Sequence, residues 1–313
     1  MKIGVVGAGR WGINHVRTLK RIGNLGLVVE VDPKTREAVK SELHGVKLVD
    51  TMDEGLRSDV KGLIIATPVP THFALAKKAL EAGKDVLVEK PLCLNSREAD
   101  ELVEIAQKGN RVLMVGHMLL FSPAIRFIKE FLSAGKLGTL HTIHQTRLNL
   151  GTARKVENAL WSLGVHDVAL ALWLVGQEPN RVACVGQRIL QTNIEDDVHL
   201  HLSFPNGVQT HLHASWLNPT KSRGMTLIGA KGMLVYEEGT QAVTFHKKTI
   251  DAELKNQNQG EEVVFQKTSE PLEEELRHFA ECIRTRKTPD ADGKQGAAVL
   301  RILEQADQAM MRT

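Results

Sequence analysis

The feature that most constrains this chain is a glycine-rich turn close to its first residue. Lys2–Val6 has the short apolar character of a buried strand, and Gly7–Gly12, which reads GAGRWG, follows it directly. The next residues carry apolar side chains at helical spacing. This succession predicts a dinucleotide-binding unit, in which Gly7 permits the tight turn, Gly9 lets the backbone approach a pyrophosphate, and Gly12 allows close packing of the helix on the strand.

The acidic residue that would complete such a site is Asp32, which ends the second predicted strand 20 residues after Gly12. An acid at this point binds the hydroxyls of the adenosine ribose and repels a 2′-phosphate, so the sequence favours NAD over NADP. Arg36 is close enough in sequence to weaken that preference. The alternative interpretation is a glycine-rich turn that binds no ligand.

The order of predicted elements changes near residue 120. Before it, apolar strands alternate with amphipathic helices, which predicts a parallel sheet covered on both faces. After it, a run of consecutive strands predicts an antiparallel sheet, and the polar residues 251–270 are expected to form a loop or an irregular edge. The predicted fold class is therefore α/β, with an N-terminal Rossmann domain over residues 1–120 and an open C-terminal α+β domain over residues 121–313.

Composition and charge exclude several classes of protein. The chain has 313 residues, with 40 Lys and Arg against 37 Asp and Glu, and this net charge of +3 does not indicate a nucleic-acid partner. Its three cysteines show no CxxC spacing, which argues against a disulfide framework or a zinc finger. The first residues lack signal-peptide features and the apolar stretches are too short for a bilayer, so we expect a cytoplasmic protein without a membrane partner.

A second candidate site follows the predicted strand Asp85–Val88, where the chain reads Glu89-Lys90-Pro91. Ligands of open α/β sheets bind at the carboxyl ends of the strands. A lysine held there favours the ionised form of a nearby substrate hydroxyl, which assists hydride departure. The alternative, equally open on these residues alone, is a surface lysine paired with Glu89.

Further motifs are spread over nearly the whole chain. They are Ala66-Thr67-Pro68 with His72, Ala79–Lys84, Glu89-Lys90-Pro91, Gly164-Val165-His166-Asp167 and Leu172-Trp173-Leu174. Together with the glycine turn they resemble the Gfo/Idh/MocA oxidoreductases. That family joins a Rossmann domain to an α+β domain with a large open sheet. Its members commonly oxidise a secondary alcohol of a sugar or cyclitol with NAD or NADP, as dimers or tetramers formed through the sheet.

The resemblance also implies roles for individual residues. Lys90 and His166 are expected to be catalytic. The residues expected along the cofactor are Gly7, Gly9, Arg10, Trp11, Gly12, Asp32, Arg36, Thr67, Pro68, His72, Glu89 and Lys90.

A narrower resemblance depends on Asn149-Leu150-Gly151, Arg154, Glu157-Asn158, Trp161, Ala214–Pro219 and Lys221. It indicates the nucleotide-sugar branch of the family, which oxidises the sugar 3-hydroxyl of UDP-N-acetylglucosamine or of its uronate. The sequence most resembles the first type. An aminotransferase then forms a 3-amino sugar for lipid A or surface polysaccharide. The residues implied to contact the substrate are Lys90, Asn149, Arg154, Glu157, Asn158, Trp161 and His166.

The chain departs from the family at two positions near His166. Ser162 and Ala169 stand where many members carry Asp, so the proton chemistry is expected to depend on His166 and Lys90. Asp167 adjoins His166 on the predicted helix and is expected to point elsewhere. Three alternatives stay open: the uronate form, a free-sugar dehydrogenase, and a non-catalytic NAD-sensing regulator, which the retention of Lys90 and His166 disfavours.

Seven of the 13 histidines fall between residues 141 and 213. His199 and His201 share one face of a predicted strand, and His211 and His213 share one face of the next. A two-residue turn would place the two pairs on opposite faces, whereas a three-residue turn would put His201 opposite His211. With the two-residue turn, and without a supporting carboxylate or cysteine pattern, we expect no metal site and assign most of these histidines to the sheet surface or a subunit interface.

Overall fold

The computed structural model describes residues 1–311, which fall into two compact units. The first unit comprises residues 1–121 and 270–301, and the second begins with residues 122–269 and resumes at residue 302. The domain boundary predicted between residues 120 and 121 lies beside the first of these divisions. The order of predicted elements contained no sign that residues 270–301 belong with the first unit.

Fourteen strands and nine α-helices are found in residues 1–311. The strands are β1 (Ile3–Val6), β2 (Leu25–Val29), β3 (Lys47–Val49), β4 (Gly62–Ile65), β5 (Asp85–Val88), β6 (Leu113–Val115), β7 (Leu140–Leu150), β8 (Arg181–Gln187), β9 (Asp197–Ser203), β10 (Gln209–Ser215), β11 (Leu217–Gly229), β12 (Gly232–Glu237), β13 (Ala242–Ile250) and β14 (Asn256–Gln266). The helices are α1 (Gly12–Arg21), α2 (Pro33–Leu43), α3 (Met52–Arg57), α4 (His72–Glu81), α5 (Ser96–Lys108), α6 (Pro123–Ser133), α7 (Val165–Val175), α8 (Pro271–Thr285) and α9 (Gly293–Met310). None of these helices combines the length and the apolar character needed to cross a bilayer.

The first unit is built on a parallel six-stranded sheet in the order β3-β2-β1-β4-β5-β6. β1, β4 and β5 are buried along their whole length, which explains why their sequences are apolar apart from Asp85 at the start of β5. α8 packs against α1, and its Phe279 and Ile283 reach the backbone of Gly62 in β4. This sheet confirms the Rossmann architecture predicted from the alternation of strands and helices.

The parallel arrangement brings several loops to one edge of this sheet. Because the strands run in the same direction, the carboxyl ends of β1, β2, β4, β5 and β6 open on the same side. The glycine turn, the loop before α2, Thr67, the Glu89-Lys90 segment and His117 all follow these ends. The residues predicted to bind the cofactor thus share one edge of the sheet.

The second unit is built on an eight-stranded sheet in the order β14-β13-β12-β11-β7-β10-β9-β8. Its neighbouring strands are antiparallel except for β7 and β10, which run parallel, so the predicted mainly antiparallel sheet is confirmed. α6 packs on β13 and β14, and α7 packs on β7. Along β9, Leu200 and Leu202 are buried while His199 and His201 on the other face are exposed.

Residues 251–270 were expected to form a loop or an irregular edge, and the second form is found for most of them. Asn256–Gln266 form β14 at the end of the sheet, and its antiparallel pairing with β13 has two register shifts. Nine of the eleven residues of β14 are exposed, so most of this strand can be polar, although Val263, Val264 and Phe265 are apolar. β3 and α3 were not predicted, since three and six residues are too few to show a periodic pattern.

The turn between β9 and β10 is longer than the two-residue turn on which the expectation about the histidines depended. It spans Phe204–Val208, where the N–H of Phe204 donates to the carbonyl of Val208 over 2.9 Å. His201 therefore pairs with His211, and His199 pairs with His213. The expectation that the two pairs lie on opposite faces is wrong, because directly paired residues point to the same face of a sheet.

Candidate active site

The turn between β1 and α1 has a conformation that requires its glycines. Gly7 has φ +87°, in the left-handed region that favours glycine. A Cβ on Gly12 would lie 2.0 Å from the carbonyl oxygen of Gly7, so only glycine fits there without movement of the backbone. Gly9 differs, because no atom lies within 4 Å of the position that its Cβ would take. The backbone at Gly9 is therefore open to a ligand.

A cavity lies beside this turn, and the residues that line it show whether a dinucleotide would fit there. Its volume is about 310 Å³, and it is lined by Ala8, Gly9, Arg10, Ile13, Arg17, Thr35, Ala38, Val39 and Glu42. Arg10 and Trp11 are exposed at the start of α1. An open glycine backbone at a helix N-terminus, beside an arginine, fits a pyrophosphate because free N–H groups and the helix dipole favour anions. The site fits NAD.

Two carboxylates follow β2 and have different roles. Glu30 is buried, and it accepts hydrogen bonds from the backbone N–H groups of Ala8 (2.7 Å) and Asp32 (2.9 Å). Asp32 caps α2 and accepts the N–H and hydroxyl of Thr35 at 2.7 Å each, and these bonds hold its pKa below the usual range. The Arg36 guanidinium donates to the Glu30 carbonyl. Asp32 remains exposed and can contact a ribose, whereas Glu30, which was not predicted, supports the glycine turn.

The loops after β4 and β5 are linked by His72. This residue is buried, with its Nδ1 2.9 Å from the carbonyl oxygen of Pro91 and its Nε2 2.8 Å from that of Thr67. Thr67 also shares a hydroxyl hydrogen bond with Thr71 across Pro68. His72 is therefore a positioning residue for both loops, and direct contact of Thr67, Pro68 or His72 with the cofactor remains a prediction.

Glu89 anchors the loop that carries Lys90. Its Oε1 accepts from Trp11 Nε1 at 2.6 Å and pairs with His15 Nε2 at 2.7 Å, and its Oε2 accepts the Lys90 N–H at 3.2 Å. Burial opposes the charge of Glu89, but His15, Trp11 and Lys90 together hold its pKa below the usual value. The start of α1 is thus bonded to the residue that precedes Lys90. His15 was not predicted, although it lies one helical turn after Trp11.

Two more titratable groups are buried near this loop. His117 follows β6, and among residues 1–311 neither of its ring nitrogens has a hydrogen-bond partner, nor does either carboxyl oxygen of Glu275 on α8. Burial and then the Lys90 charge lower the pKa of His117 to about 4. Burial and then Glu89 raise the pKa of Glu275 well above its usual value. His117 is therefore neutral at pH 7, and burial disfavours the charged form of Glu275. The sequence position of His117 after an apolar strand could have indicated it, whereas Glu275 had no such signal.

His166 lies in the second unit, one residue into α7. The π-helix Leu160–Gly164 precedes it directly, and such turns frequently mark functional segments. Within this turn the Ser162 hydroxyl accepts a hydrogen bond from Trp216 Nε1 at 3.2 Å. Lys90 belongs to the first unit and His166 to the second, so their joint action on one substrate remains a prediction.

Asp167 is held in a buried ion-pair network. It pairs with Arg147 through both carboxylate oxygens, one of them 3.1 Å from Nη2, and both residues are almost fully buried. Arg147 also donates to Glu238 at 2.9 Å, and Glu238 accepts from Arg223 at 3.3 Å. Burial opposes the charge of Arg147, but Asp167 and Glu238 raise its pKa, so it stays charged. This network gives Asp167 a structural role as the anchor of α7 on β7.

The other predicted substrate residues also lie in the second unit. Asn149 in β7 has a buried Oδ1 without a hydrogen-bond partner among residues 1–311, so it can accept from a ligand. Arg154 and Glu157 form an exposed pair with 3.7 Å between Nε and Oε1. Asn158 donates to Glu195 and to Asp307 at 3.1 Å each.

Trp161 Nε1 donates to Asp307 at 2.8 Å, and the Trp161 N–H donates to Asn158 Oδ1 at 3.1 Å. Asn158 and Trp161 are therefore engaged within the chain, whereas Arg154 and Glu157 are exposed and the buried Asn149 Oδ1 has no hydrogen-bond partner among residues 1–311. Substrate contact by any of them remains a prediction.

Comparison with known proteins identifies similar families and relatives. Residues 1–117 match the oxidoreductase family with an NAD-binding Rossmann fold, and residues 125–235 match the GFO/IDH/MocA C-terminal domain. The chain is 32% identical to UDP-N-acetylglucosamine 3-dehydrogenase of Acidithiobacillus ferrooxidans over 72% of this chain and 71% of that protein. It is 31% identical to inositol 2-dehydrogenase 2 of Saccharopolyspora erythraea over 66% of this chain and 64% of that protein.

A solved structure agrees with the first of these relatives. The structure of UDP-N-acetylglucosamine 3-dehydrogenase GnnA from Acidithiobacillus ferrooxidans matches with a TM-score of 0.88 and 26% identity. The match covers 100% of this chain and 98% of that one. Similarity of sequence and of fold thus extends over both units of the chain.

Proposed function

Because the chain belongs to the Gfo/Idh/MocA oxidoreductase family and its cofactor is NAD, we propose that it oxidises the sugar 3-hydroxyl of a UDP-sugar, most specifically UDP-N-acetylglucosamine. The product would be the 3-keto sugar. The observation that carries the proposal is the hydrogen-bonded link from the glycine turn, through Trp11 and His15, to the Glu89 that precedes Lys90. The similarity to UDP-N-acetylglucosamine 3-dehydrogenase supports this substrate class.

In the proposed mechanism, Lys90 and His166 act on the sugar hydroxyl. The Lys90 ammonium favours the ionised form of that hydroxyl and stabilises the developing alkoxide. The His166 imidazole accepts the hydroxyl proton, which is the ordinary role of a histidine in general base catalysis. The chemistry that NAD supplies when bound is acceptance of the hydride from the sugar C3.

The substrate diphosphate and sugar require their own contacts. Arg154 offers paired guanidinium donors that match diphosphate oxygens. Asn149 offers its buried Oδ1 as an acceptor for a sugar hydroxyl or an amide N–H. Glu157 lies beside Arg154 and can accept from sugar hydroxyls. The proposal assigns no polar contact with substrate to Asn158 or Trp161, because their polar groups are already paired within the chain.

The proposal extends to partners of the reaction. An aminotransferase would convert the 3-keto sugar into a 3-amino sugar for lipid A or a surface polysaccharide. The chain would act as a dimer or tetramer formed through the sheet face that carries His199 and His201. Light scattering on the purified chain tests the second statement, and a monomer at micromolar concentration would contradict it.

The test of the proposed function is a substrate panel. The chain with NAD is mixed with UDP-N-acetylglucosamine, its uronate or myo-inositol, and 3-keto product is detected by mass spectrometry alongside NADH absorbance. An aminotransferase and an amino donor remove the product if the equilibrium is unfavourable. Product from UDP-N-acetylglucosamine is expected. Product from inositol alone would instead support the similarity to inositol 2-dehydrogenase.

Variants separate catalysis from binding. Lys90→Ala and His166→Ala should each retain NADH binding and lose at least about 100-fold in turnover. Lys78→Ala is a matched control, since Lys78 forms an exposed ion pair with Asp53 on the surface of the same unit. Turnover near wild type in either active-site variant would refute that residue's role. NADH binding without turnover on any substrate would favour the NAD-sensing regulator.

A further inference from the structure

Five histidines form a stripe across the exposed face of the second sheet. His144 on β7, His211 and His213 on β10, and His199 and His201 on β9 occupy directly paired positions on three adjacent strands. His144 stacks on His211, and His199 stacks on His213 with ring centroids 4.0 Å apart. The proposed reaction assigns no chemical role to these side chains.

One end of the stripe includes a carboxylate. Asp197 and His199 are two residues apart on β9, so both point to the same face, and His213 lies directly across from His199 on β10. Among residues 1–311 these three form the one group of three or more His, Cys, Asp or Glu side chains close enough to hold a metal ion, with all ligand atoms within 4.8 Å. The group belongs entirely to the second unit.

The distances within this group match a metal site. Zinc binds nitrogen and oxygen at about 2.0–2.1 Å in a tetrahedron, which separates neighbouring ligand atoms by about 3.3 Å. The Oδ1 of Asp197 lies 3.1 Å from Nε2 of His213 and 3.6 Å from Nε2 of His199. Two of the three edges are thus within a few tenths of an ångström of the required spacing. The two imidazoles stack with their planes 17° apart, so both rings must turn out of the stack before their Nε2 lone pairs can point at one ion.

We propose that Asp197, His199 and His213 bind one divalent transition-metal ion of the zinc class. Two imidazoles and one carboxylate suit zinc and its neighbours, whereas magnesium and calcium prefer oxygen ligands. Three protein ligands leave a fourth position on the ion, and in the single chain the side chains keep 22%, 52% and 31% exposure, so an ion can reach them before subunits associate through this face. The ion would join β9 to β10 at the face of the sheet, and each chain would hold one ion.

The neighbouring pair His201 and His211 provides a matched control. It occupies the same two strands, and its Nδ1 atoms lie 2.6 Å apart. That separation is a hydrogen bond and is shorter than the spacing of two ligands on one tetrahedral ion. The pair has no part in the three-residue group.

The experiment uses the untagged full chain, stripped with a chelator and dialysed. Zn²⁺ binding is measured by isothermal titration calorimetry, and Co²⁺ is added as a visible-absorption probe of tetrahedral coordination. One ion per chain is expected, with the intense Co²⁺ absorption of a four-coordinate site. The double variant His199→Ala/His213→Ala should weaken Zn²⁺ binding by at least about 100-fold, which exceeds the effect of losing a supporting residue around a metal.

The control variant His201→Ala/His211→Ala should bind Zn²⁺ within about threefold of the wild type, since His201 and His211 hydrogen-bond each other and are not among the three ligands. Far-UV circular dichroism and NADH binding verify that both double variants are folded. Absence of Zn²⁺ binding to the wild type would overturn the proposal and leave an Asp197–His213 hydrogen bond. Equal binding by the His199/His213 variant, loss in the control variant, or half an ion per chain would each overturn it as well.

Discussion

Replacing Gly9 with alanine should separate cofactor binding from folding. The added Cβ meets no atom within 4 Å, and Gly9 does not have the positive φ that penalises alanine. Alanine in place of glycine at a compatible position changes stability by about 0.4–1 kcal/mol in the favourable direction, because the unfolded chain loses freedom. The free protein should therefore fold normally and unfold at an equal or slightly higher urea concentration.

The same methyl group should interfere with the cofactor. The second glycine of this turn is the point where backbone and pyrophosphate approach most closely. An extra carbon between them costs about 1–3 kcal/mol, as overpacking of a filled space does. That free energy corresponds to an increase of roughly 5- to 150-fold in the Kd for NADH.

The matched comparison is Gly12→Ala, in which the added methyl group meets the backbone of the protein itself and should therefore reduce stability. Its Cβ would lie 2.0 Å from the Gly7 carbonyl oxygen, at least 1 Å inside the 3.0 Å limit for real Cβ contacts, so α1 must move relative to β1. We expect a loss of about 1–3 kcal/mol or more in the free energy of unfolding. NADH binding should weaken as well, because the turn itself is displaced.

The assay pairs fluorescence titration with NADH and urea unfolding for the wild type and both variants. If Gly9→Ala binds NADH as tightly as the wild type, the open space at Gly9 does not hold the pyrophosphate. If Gly12→Ala is as stable as the wild type, the tight contact between Gly12 and the Gly7 carbonyl does not constrain the fold. A Gly9→Ala protein that fails to fold would contradict the open geometry at that position.

Three further predictions concern charged and titratable groups. Asp32→Ser keeps an N-cap for the Thr35 N–H but removes the negative charge, so the ratio of NADP affinity to NAD affinity should rise. Asp32→Ala should change this ratio in the same direction and also lower the free energy of unfolding in urea by about 1 kcal/mol, because the cap is lost. Asp167→Ala leaves the buried Arg147 with Glu238 as its remaining carboxylate partner, which should cost up to about 3–5 kcal/mol in the free energy of unfolding. Adding Arg147→Met should recover much of that loss, and no recovery would contradict the ion-pair explanation. His117 takes up a proton near pH 6.5 in the unfolded chain, but only near about pH 4 in the folded chain. The free energy of unfolding should therefore fall by roughly 3 kcal/mol as the pH drops between these values. His117→Met should make the free energy of unfolding depend less on pH over this range.

Several features of the fold and site could be predicted because they depend on short segments of chain. The glycine turn needs only a strand, three spaced glycines and a helix start, and all of these are local. Lys90 could be predicted at an edge of the sheet because any residue after a buried parallel strand lies there. The capping role of Asp32 was equally local, since a side chain of this type accepts the N–H of the third residue after it.

Other features depend on contacts between distant segments and had no local signal. The interaction of His15 with Glu89 joins residues 74 positions apart, and the Arg147–Asp167 pair joins residues 20 positions apart. β14 is mostly polar because it lies at a sheet edge, and its composition alone could not separate that edge strand from a loop.

By itself, the sequence determined the identity and order of most elements and the presence of a dinucleotide turn, because backbone preference and apolar periodicity act over a few residues. Only the tertiary structure decided which polar groups meet. The clearest case is the histidine stripe. A change of one residue in the turn between β9 and β10 reverses the face of every side chain in the pairing, since side chains alternate along a strand. The observed turn placed His199 beside His213 and Asp197, and so converted a run of histidines into a candidate metal site.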